Sequence, residues 1–159
     1  MNWANHFLVS FNLLLLMLHN KASIQEIIIF SIIFGLFLDL DHIVKRLLGG
    51  KEHHLRTWVQ EPFGFVLIGI PTAVLLSRIY EPYYLLLVLV PYLSHILLDY
   101  LVIHEVSPFA TFSKKIYHLG FIKPYPTPKW FLSRTELSEN YLFVLNAFIY
   151  AILLKVFLQ

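Results

Sequence analysis

Five long apolar stretches divide this sequence, and each is bounded by charged residues, proline or short polar clusters. They lie at about residues 4–18, 23–43, 63–79, 82–103 and 141–158. A helix needs about 20 mostly apolar residues to cross a bilayer, so these stretches favour membrane spans. Charged residues make up 14% of the chain, whereas a soluble domain has about a quarter. The pattern predicts one all-α integral-membrane domain over residues 1–159, a polytopic helical bundle of about five spans.

The distribution of basic residues predicts the orientation of this bundle. Five spans place the two termini on opposite sides, and nine of the twelve basic residues then share the side of the N-terminus: Lys45, Arg46, Lys51, Arg56, Lys114, Lys115, Lys123, Lys129 and Arg134. By the positive-inside rule that side is cytoplasmic, as in a cytoplasmic or inner membrane. These residues are spread over several connections rather than gathered in a stripe, which argues against a nucleic-acid partner.

The connection between the fourth and fifth stretches, about residues 104–138, is the only long one. Ser107 is suited to cap a helix and Pro108 to its first position. An apolar face at helical spacing follows: Phe109, Phe112, Ile116 and Leu119. With Lys114 and Lys115 on the opposite side, this pattern predicts a helix lying in the membrane interface. An amphipathic helix packed on the bundle is the alternative.

Ionisable residues inside the apolar stretches are the strongest functional signal. Each costs about 2.5 to 3.5 kcal/mol to insert, so such residues are functional candidates by default. His6, Asp39, His95 and Asp99 lie in three stretches whose predicted directions bring all four toward the basic side. His95 and Asp99 are spaced i and i+4, which places them on one helix face. As a structural alternative, His6 alone would be an interfacial histidine.

The residue types at this face point to a metal. The sequence contains eight histidines and no cysteine, which excludes disulfides, iron–sulfur clusters, thiolate zinc and a cysteine nucleophile. Imidazole with carboxylate suits zinc, with manganese or iron as alternatives. More than four such ligands would hold two ions rather than one. A two-metal site generates hydroxide and stabilises both oxygens of a displacement, as in phosphoester hydrolysis.

Four short motifs occur in a fixed order along the chain. They are F-L-D-L-D-H over 37–42, H-H-L-R-T-W over 53–58, L-S-H-I-L-L-D-Y over 93–100 and S-P-F over 107–109. Together with the early His6, this order resembles the YdjM-like family of small integral-membrane proteins, described as membrane-bound metal-dependent hydrolases. The resemblance covers about residues 1–112, and the last stretch carries no signature.

The resemblance implies a set of seven metal ligands, for one or two divalent ions: His6, Asp39, Asp41, His42, His54, His95 and Asp99. Three positions depart from the family pattern. Leu38 stands where the family often has proline, and Leu55 separates His54 from Arg56. Glu61, in V-Q-E over 59–61, takes the place of the second histidine of the loop motif and would act as an oxygen ligand or general base.

The leading functional prediction is a membrane hydrolase of lipid phosphoesters whose site opens at the cytoplasmic headgroup level. Catalysis would involve Glu61, His54 and Asp41. Basic residues would hold the anionic substrate, because arginine forks match phosphate oxygens: Arg56, Lys51, Lys114, Lys115 and Lys123. The alternatives are a cation- or proton-coupled transporter and a non-catalytic membrane scaffold that binds lipid or protein.

Overall fold

A computed structural model describes residues 3–36, 38, 58–101, 105–106, 117–118 and 139–157. Its helices are α1 (Trp3–Leu18), α2 (Ile24–Gly35), α3 (Pro62–Ile79), α4 (Tyr84–Leu101) and α5 (Glu139–Phe157), with a 3-10 turn at Trp58–Gln60. Two short strands, β1 (Glu105–Val106) and β2 (Tyr117–His118), pair antiparallel. The all-helical class is therefore confirmed, with this one ladder as an addition.

The start of α2 follows from its first residues. The Ser23 hydroxyl accepts a hydrogen bond from the Glu26 amide at 3.2 Å, and the Glu26 carboxylate accepts one from the Ser23 amide at 2.7 Å. This reciprocal pair is a capping box, which satisfies amide groups that the helix itself leaves unbonded. The S-x-x-E spacing in the sequence predicts this box, and the prediction is confirmed.

Helix α3 contains a local change of winding. It starts as α-helix at Pro62–Gly64, widens to a π-turn at Phe65–Gly69 and returns to α-helix at Ile70–Ile79. Its first turn lies against the preceding 3-10 turn so closely that a Cβ on Gly64 would come within 2.6 Å of the Trp58 carbonyl oxygen. Glycine at position 64 therefore allows residues 58–61 to fold back on the start of α3.

Helices α1 and α4 form the centre of the bundle. Helix α1 packs against α2, α4 and α5, and α4 also packs against α2 and α3. The main core cluster includes the following buried apolar side chains: Phe11, Leu14, Leu15, Leu18, Ile27 and Leu87. Large apolar side chains also cover the outside, among them Ile79 and Phe148, which are 61% and 65% exposed. An apolar exterior of this kind suits a lipid environment.

Two helices, α3 and α4, are long and apolar enough to cross a membrane. Within the described part of the chain, α1, α2 and most of α5 are shorter apolar helices. The structure thus supports membrane helices at the third and fourth predicted spans. Crossing by all five segments, and the orientation of the bundle, remain predictions.

The interfacial helix predicted after Ser107 does not extend to its expected end. Most of this segment lies outside the described residues. Tyr117 and His118 are described, however, and they pair with Val106 and Glu105 in the β1–β2 ladder. The prediction of helix at these two positions was wrong, because their backbone groups pair across a chain reversal instead of along a helix.

Candidate metal centre

Three of the predicted site residues meet at one end of the bundle. His6 lies near the start of α1, and His95 and Asp99 lie in the last two turns of α4. Since α1 and α4 pack together, the start of one helix lies beside the end of the other. Ligand atoms of all three residues lie within 4.8 Å of one another. We call this set the His–His–Asp cluster.

The Asp99 carboxylate lies at the edge of both imidazole rings and is hydrogen-bonded to His6 Nε2. Its Oδ1 lies 3.1 Å from His6 Nε2, and its Oδ2 lies 3.3 Å from His95 Nε2. The two rings are stacked, with centroids 4.0 Å apart and planes inclined by 22°. Both Nε2 atoms therefore face the same carboxylate, from rings that lie side by side.

All three side chains of the cluster are buried. His6 and His95 are 0% exposed and Asp99 is 3% exposed. A carboxylate removed from water is strongly destabilised unless it is paired with a cation or well hydrogen-bonded. Two imidazole nitrogens and a carboxylate oxygen are a donor set that divalent zinc, manganese and iron accept. The cluster therefore fits a divalent metal ion chemically.

The other nitrogen of His95 is held by α2. His95 Nδ1 lies 3.1 Å from the carbonyl oxygen of Gly35, at the end of α2. A carbonyl only accepts, so the bond places a proton on Nδ1. By contrast, the Nδ1 atom of His6 is buried and has no hydrogen-bond partner among the residues that the structure describes.

A pair of hydrogen-bonded serines lies next to the cluster. The Ser10 and Ser94 hydroxyls are 3.0 Å apart, and Ser94 also donates to the Pro91 carbonyl within α4. Ser10 follows His6 by four residues and Ser94 directly precedes His95. The serine pair therefore links α1 and α4 close to the cluster.

Glu61, one of the predicted catalytic residues, is buried against the residue that follows Asp99. It is 0% exposed, and its Oε2 accepts a hydrogen bond from the Tyr100 hydroxyl at 2.5 Å. Nearby, Tyr92 donates to the Val59 carbonyl at 2.5 Å, and Gln60 donates to the Leu38 carbonyl at 3.1 Å. Val59 and Glu61 are thereby held against α4, and Gln60 against Leu38. Glu61 is not a member of the His–His–Asp cluster.

The remaining site residues lie outside the described part of the chain. They are the metal-ligand candidates Asp39, Asp41, His42 and His54 and the substrate-binding candidates Lys51, Arg56, Lys114, Lys115 and Lys123. Their roles stay predictions. Sequence reasoning missed Gly35, Ser10 and Tyr100. A glycine, a serine and a tyrosine in or beside apolar helices give no signal until the neighbouring helix is known.

Comparison with known proteins does not identify a family for this chain. Neither protein-family models, nor curated proteins, nor solved structures match the chain. The resemblance to the YdjM-like family therefore stays a prediction from the motifs.

Proposed function

We propose that the chain is a membrane-embedded, metal-dependent hydrolase that acts on a phosphoester of the lipid-headgroup type at the cytoplasmic face. The observation that carries the proposal is the convergence of His6, His95 and Asp99 in a buried cluster. Three side chains from two helices supply two nitrogens and one carboxylate. Catalytic metal sites in proteins commonly have three protein ligands and keep a further position for water or substrate.

In this proposal His6, His95 and Asp99 hold the ion, with zinc as the first choice and manganese or iron as alternatives. A bound divalent ion would supply Lewis acidity and lower the pKa of water. The protein residues would bind the ion and orient its ligands. The Asp99 carboxylate neutralises charge in the apolar bundle, and the Gly35 carbonyl orients His95. Asp39 and His42 are further candidate ligands, for one ion or two. Asp41, His54 and Glu61 are candidates to complete the site or to act as general base.

The position of the cluster supports a lipid substrate. The cluster lies at one end of an apolar bundle, near the start of α1 and the end of α4. A substrate that enters from the membrane needs an apolar part that is soluble in lipid. Its anionic phosphate group needs a positively charged side chain to bind it. Arg56 and Lys51 in the preceding connection, with Lys114, Lys115 and Lys123, are the candidates for that role.

Hydrolysis by the purified protein tests the proposal. The protein is reconstituted with zinc or manganese in lipid nanodiscs and assayed for phosphate or headgroup release from phosphatidic acid and phosphatidylglycerol, with p-nitrophenyl phosphate as the soluble comparison. We expect turnover of a lipid substrate that is lost in His95→Ala and Asp99→Ala. The matched control is His19→Ala, whose ring stacks on Phe157 at a distance of 4.1 Å and which should keep activity.

Two results would contradict the proposal. One is a metal content below about 0.1 ion per chain after metal-supplemented purification, because a built site loads nearly one ion. The other is full hydrolysis by both His95→Ala and Asp99→Ala. The first result would show that the protein binds no metal. The second would show that His95 and Asp99 are not needed for hydrolysis.

One observation favours a transporter as the second candidate function. The Ser10 and Ser94 hydroxyls continue inward from the cluster, and Ser31 is also fully buried in α2. Ionisable and hydroxyl groups in sequence are typical of proton and cation pathways. Uptake of a cation or of protons into proteoliposomes that depends on Asp99, in the absence of hydrolysis, would favour this alternative.

A further inference from the structure

We propose that Gly35 is a positioning residue for the metal centre: its backbone carbonyl orients His95, and its missing side chain lets α2 come close enough to do so. This inference rests on the proposed metal-dependent function. The His–His–Asp cluster draws its side chains from α1 and α4, so Gly35 would add a third helix to the site without contributing a side chain.

The first part of the inference rests on one hydrogen bond. His95 Nδ1 donates to the Gly35 carbonyl oxygen at 3.1 Å, while His95 Nε2 lies 3.3 Å from Asp99 Oδ2. Histidines that bind metals usually donate their second ring N–H to a carboxylate, carbonyl or water, which fixes the tautomer and the ring orientation. The Gly35 carbonyl therefore leaves Nε2 as the nitrogen that faces Asp99 and an ion.

The second part rests on how closely α1 and α2 approach at this point. A Cβ built on Gly35 would lie 2.5 Å from Ser10 Oγ and 3.0 Å from Ser10 Cβ. It would also lie 3.4 Å from the carbonyl oxygen of His6, which is an ordinary contact distance. Ser10 is therefore the obstacle to any larger residue at position 35.

Ser10 has little freedom to move aside. It is 0% exposed, and its hydroxyl is hydrogen-bonded to Ser94, the residue directly before His95. A methyl group at position 35 would therefore push α2 away from α1 or displace Ser10 from Ser94. The first change moves the Gly35 carbonyl away from His95, and the second removes the hydrogen bond that holds the residue before His95. The small residues at this crossing thus set the geometry of a metal ligand.

Metal affinity of matched variants tests the inference. Zinc is titrated into the metal-free wild type and into Gly35→Ala, Ser10→Gly, the Gly35→Ala/Ser10→Gly double variant and Gly69→Ala. We expect Gly35→Ala to bind zinc about 10- to 100-fold more weakly, the usual effect of losing such an outer partner. The double variant should recover most of this loss, because the added methyl group then occupies the space that Ser10 leaves.

Gly69→Ala controls for packing damage in general. A Cβ at position 69 would meet ring atoms of Phe65 and Tyr92 at 3.1 and 3.2 Å, within the α3–α4 contact. This variant should lose stability without a comparable change in zinc affinity. If Gly35→Ala is folded and binds zinc as tightly as the wild type, or if the double variant binds no better than Gly35→Ala, the inference is wrong.

A second measurement determines which ring nitrogen of His95 carries the proton, and it does not depend on the folding of a Gly35 variant. In metal-free wild-type protein labelled with ¹⁵N-histidine, the His95 signals are assigned by their loss in His95→Asn. We expect a proton on Nδ1 of His95, and an unprotonated Nδ1 overturns the inference. Protonated Nδ1 in a wild type that binds no metal would leave the orienting bond intact and contradict only the proposed metal function.

Discussion

Two carboxylates at opposite ends of the bundle have contrasting surroundings. Glu26, in the first turn of α2, accepts four hydrogen bonds: from the Ser23 amide and hydroxyl on Oε2, and from the Tyr83 and Tyr84 hydroxyls on Oε1. Asp99, near the end of α4, faces the Nε2 atoms of two imidazole rings. Glu26 is partly exposed, whereas Asp99 is buried.

The contrast separates a structural carboxylate from a candidate ligand. Every donor to Glu26 is an amide or hydroxyl, a group that binds no divalent ion by preference. The two tyrosine hydroxyls connect the start of α2 to the start of α4. The neighbours of Asp99 are imidazole nitrogens, which are good ligands for zinc and iron. A carboxylate with such neighbours, held in an apolar bundle, is typical of a functional site.

The largest expected effect comes from removing each carboxylate in turn. Loss of a residue that only orients a ligand can weaken metal binding by about 100-fold. Asp99 is a proposed direct ligand, so Asp99→Ala should weaken zinc binding by at least that factor. Glu26→Ala should leave the metal content unchanged and lower the unfolding temperature instead. Metal analysis and thermal unfolding in detergent measure both. If Glu26→Ala folds but loses its metal, Glu26 is not a purely structural carboxylate and the contrast with Asp99 is wrong.

A second prediction concerns the imidazoles. His6→Ala should weaken zinc binding by about 100-fold, the upper end of what an outer partner costs, because His6 is itself one of the three proposed ligands. His19→Ala is the matched control, since His19 lies just beyond α1 at the opposite end and stacks on Phe157. Isothermal titration compares the two variants. Equal affinities would show that His6 is only a core residue.

A third prediction concerns the cap of α2. Ser23→Ala removes the hydroxyl of the capping box, so the free energy of unfolding should fall by about 1 kcal/mol, the typical cost of losing such a cap. Zinc affinity should stay at the wild-type value because the cap lies at the other end of α2 from Gly35. Denaturant unfolding followed by circular dichroism measures the first quantity. A parallel loss of zinc affinity would mean that the two ends are coupled.

The smallest expected effect is that of Tyr100→Phe. It removes the hydrogen bond to Glu61 but keeps the ring, so the free energy of unfolding should fall by about 0.5 to 1.5 kcal/mol. Zinc affinity should not change, because Glu61 lies outside the His–His–Asp cluster. A drop in hydrolysis at unchanged zinc affinity would instead support the predicted catalytic role of Glu61.

The sequence predicts those parts of the molecule that depend on local spacing. The i and i+4 spacing of His95 and Asp99 places them on one helix face, and S-x-x-E identifies the cap of α2. The predicted span directions bring His6 to the same side as this pair, and the structure places the three side chains together. These expectations agree with the structure.

Contacts that depend on the exact approach of two helices could not be predicted in this way. Gly35 matters because Ser10 faces it, and Tyr100 matters because the 59–61 segment folds back on α4. Both depend on packing angles that hydrophobic periodicity does not encode. The pairing of Tyr117 and His118 with Val106 and Glu105 likewise places a strand where the sequence predicts a helix.

X-ray absorption spectroscopy of the purified, zinc-loaded protein tests the central claim most directly. We predict about one ion per chain or more, with imidazole scattering from nitrogens at about 2.0 to 2.1 Å and carboxylate oxygen at about 2.0 to 2.2 Å. The imidazole signal should fall in both His6→Ala and His95→Ala. Zinc with only oxygen neighbours, or an imidazole signal unchanged in both variants, would contradict a metal centre at the His–His–Asp cluster.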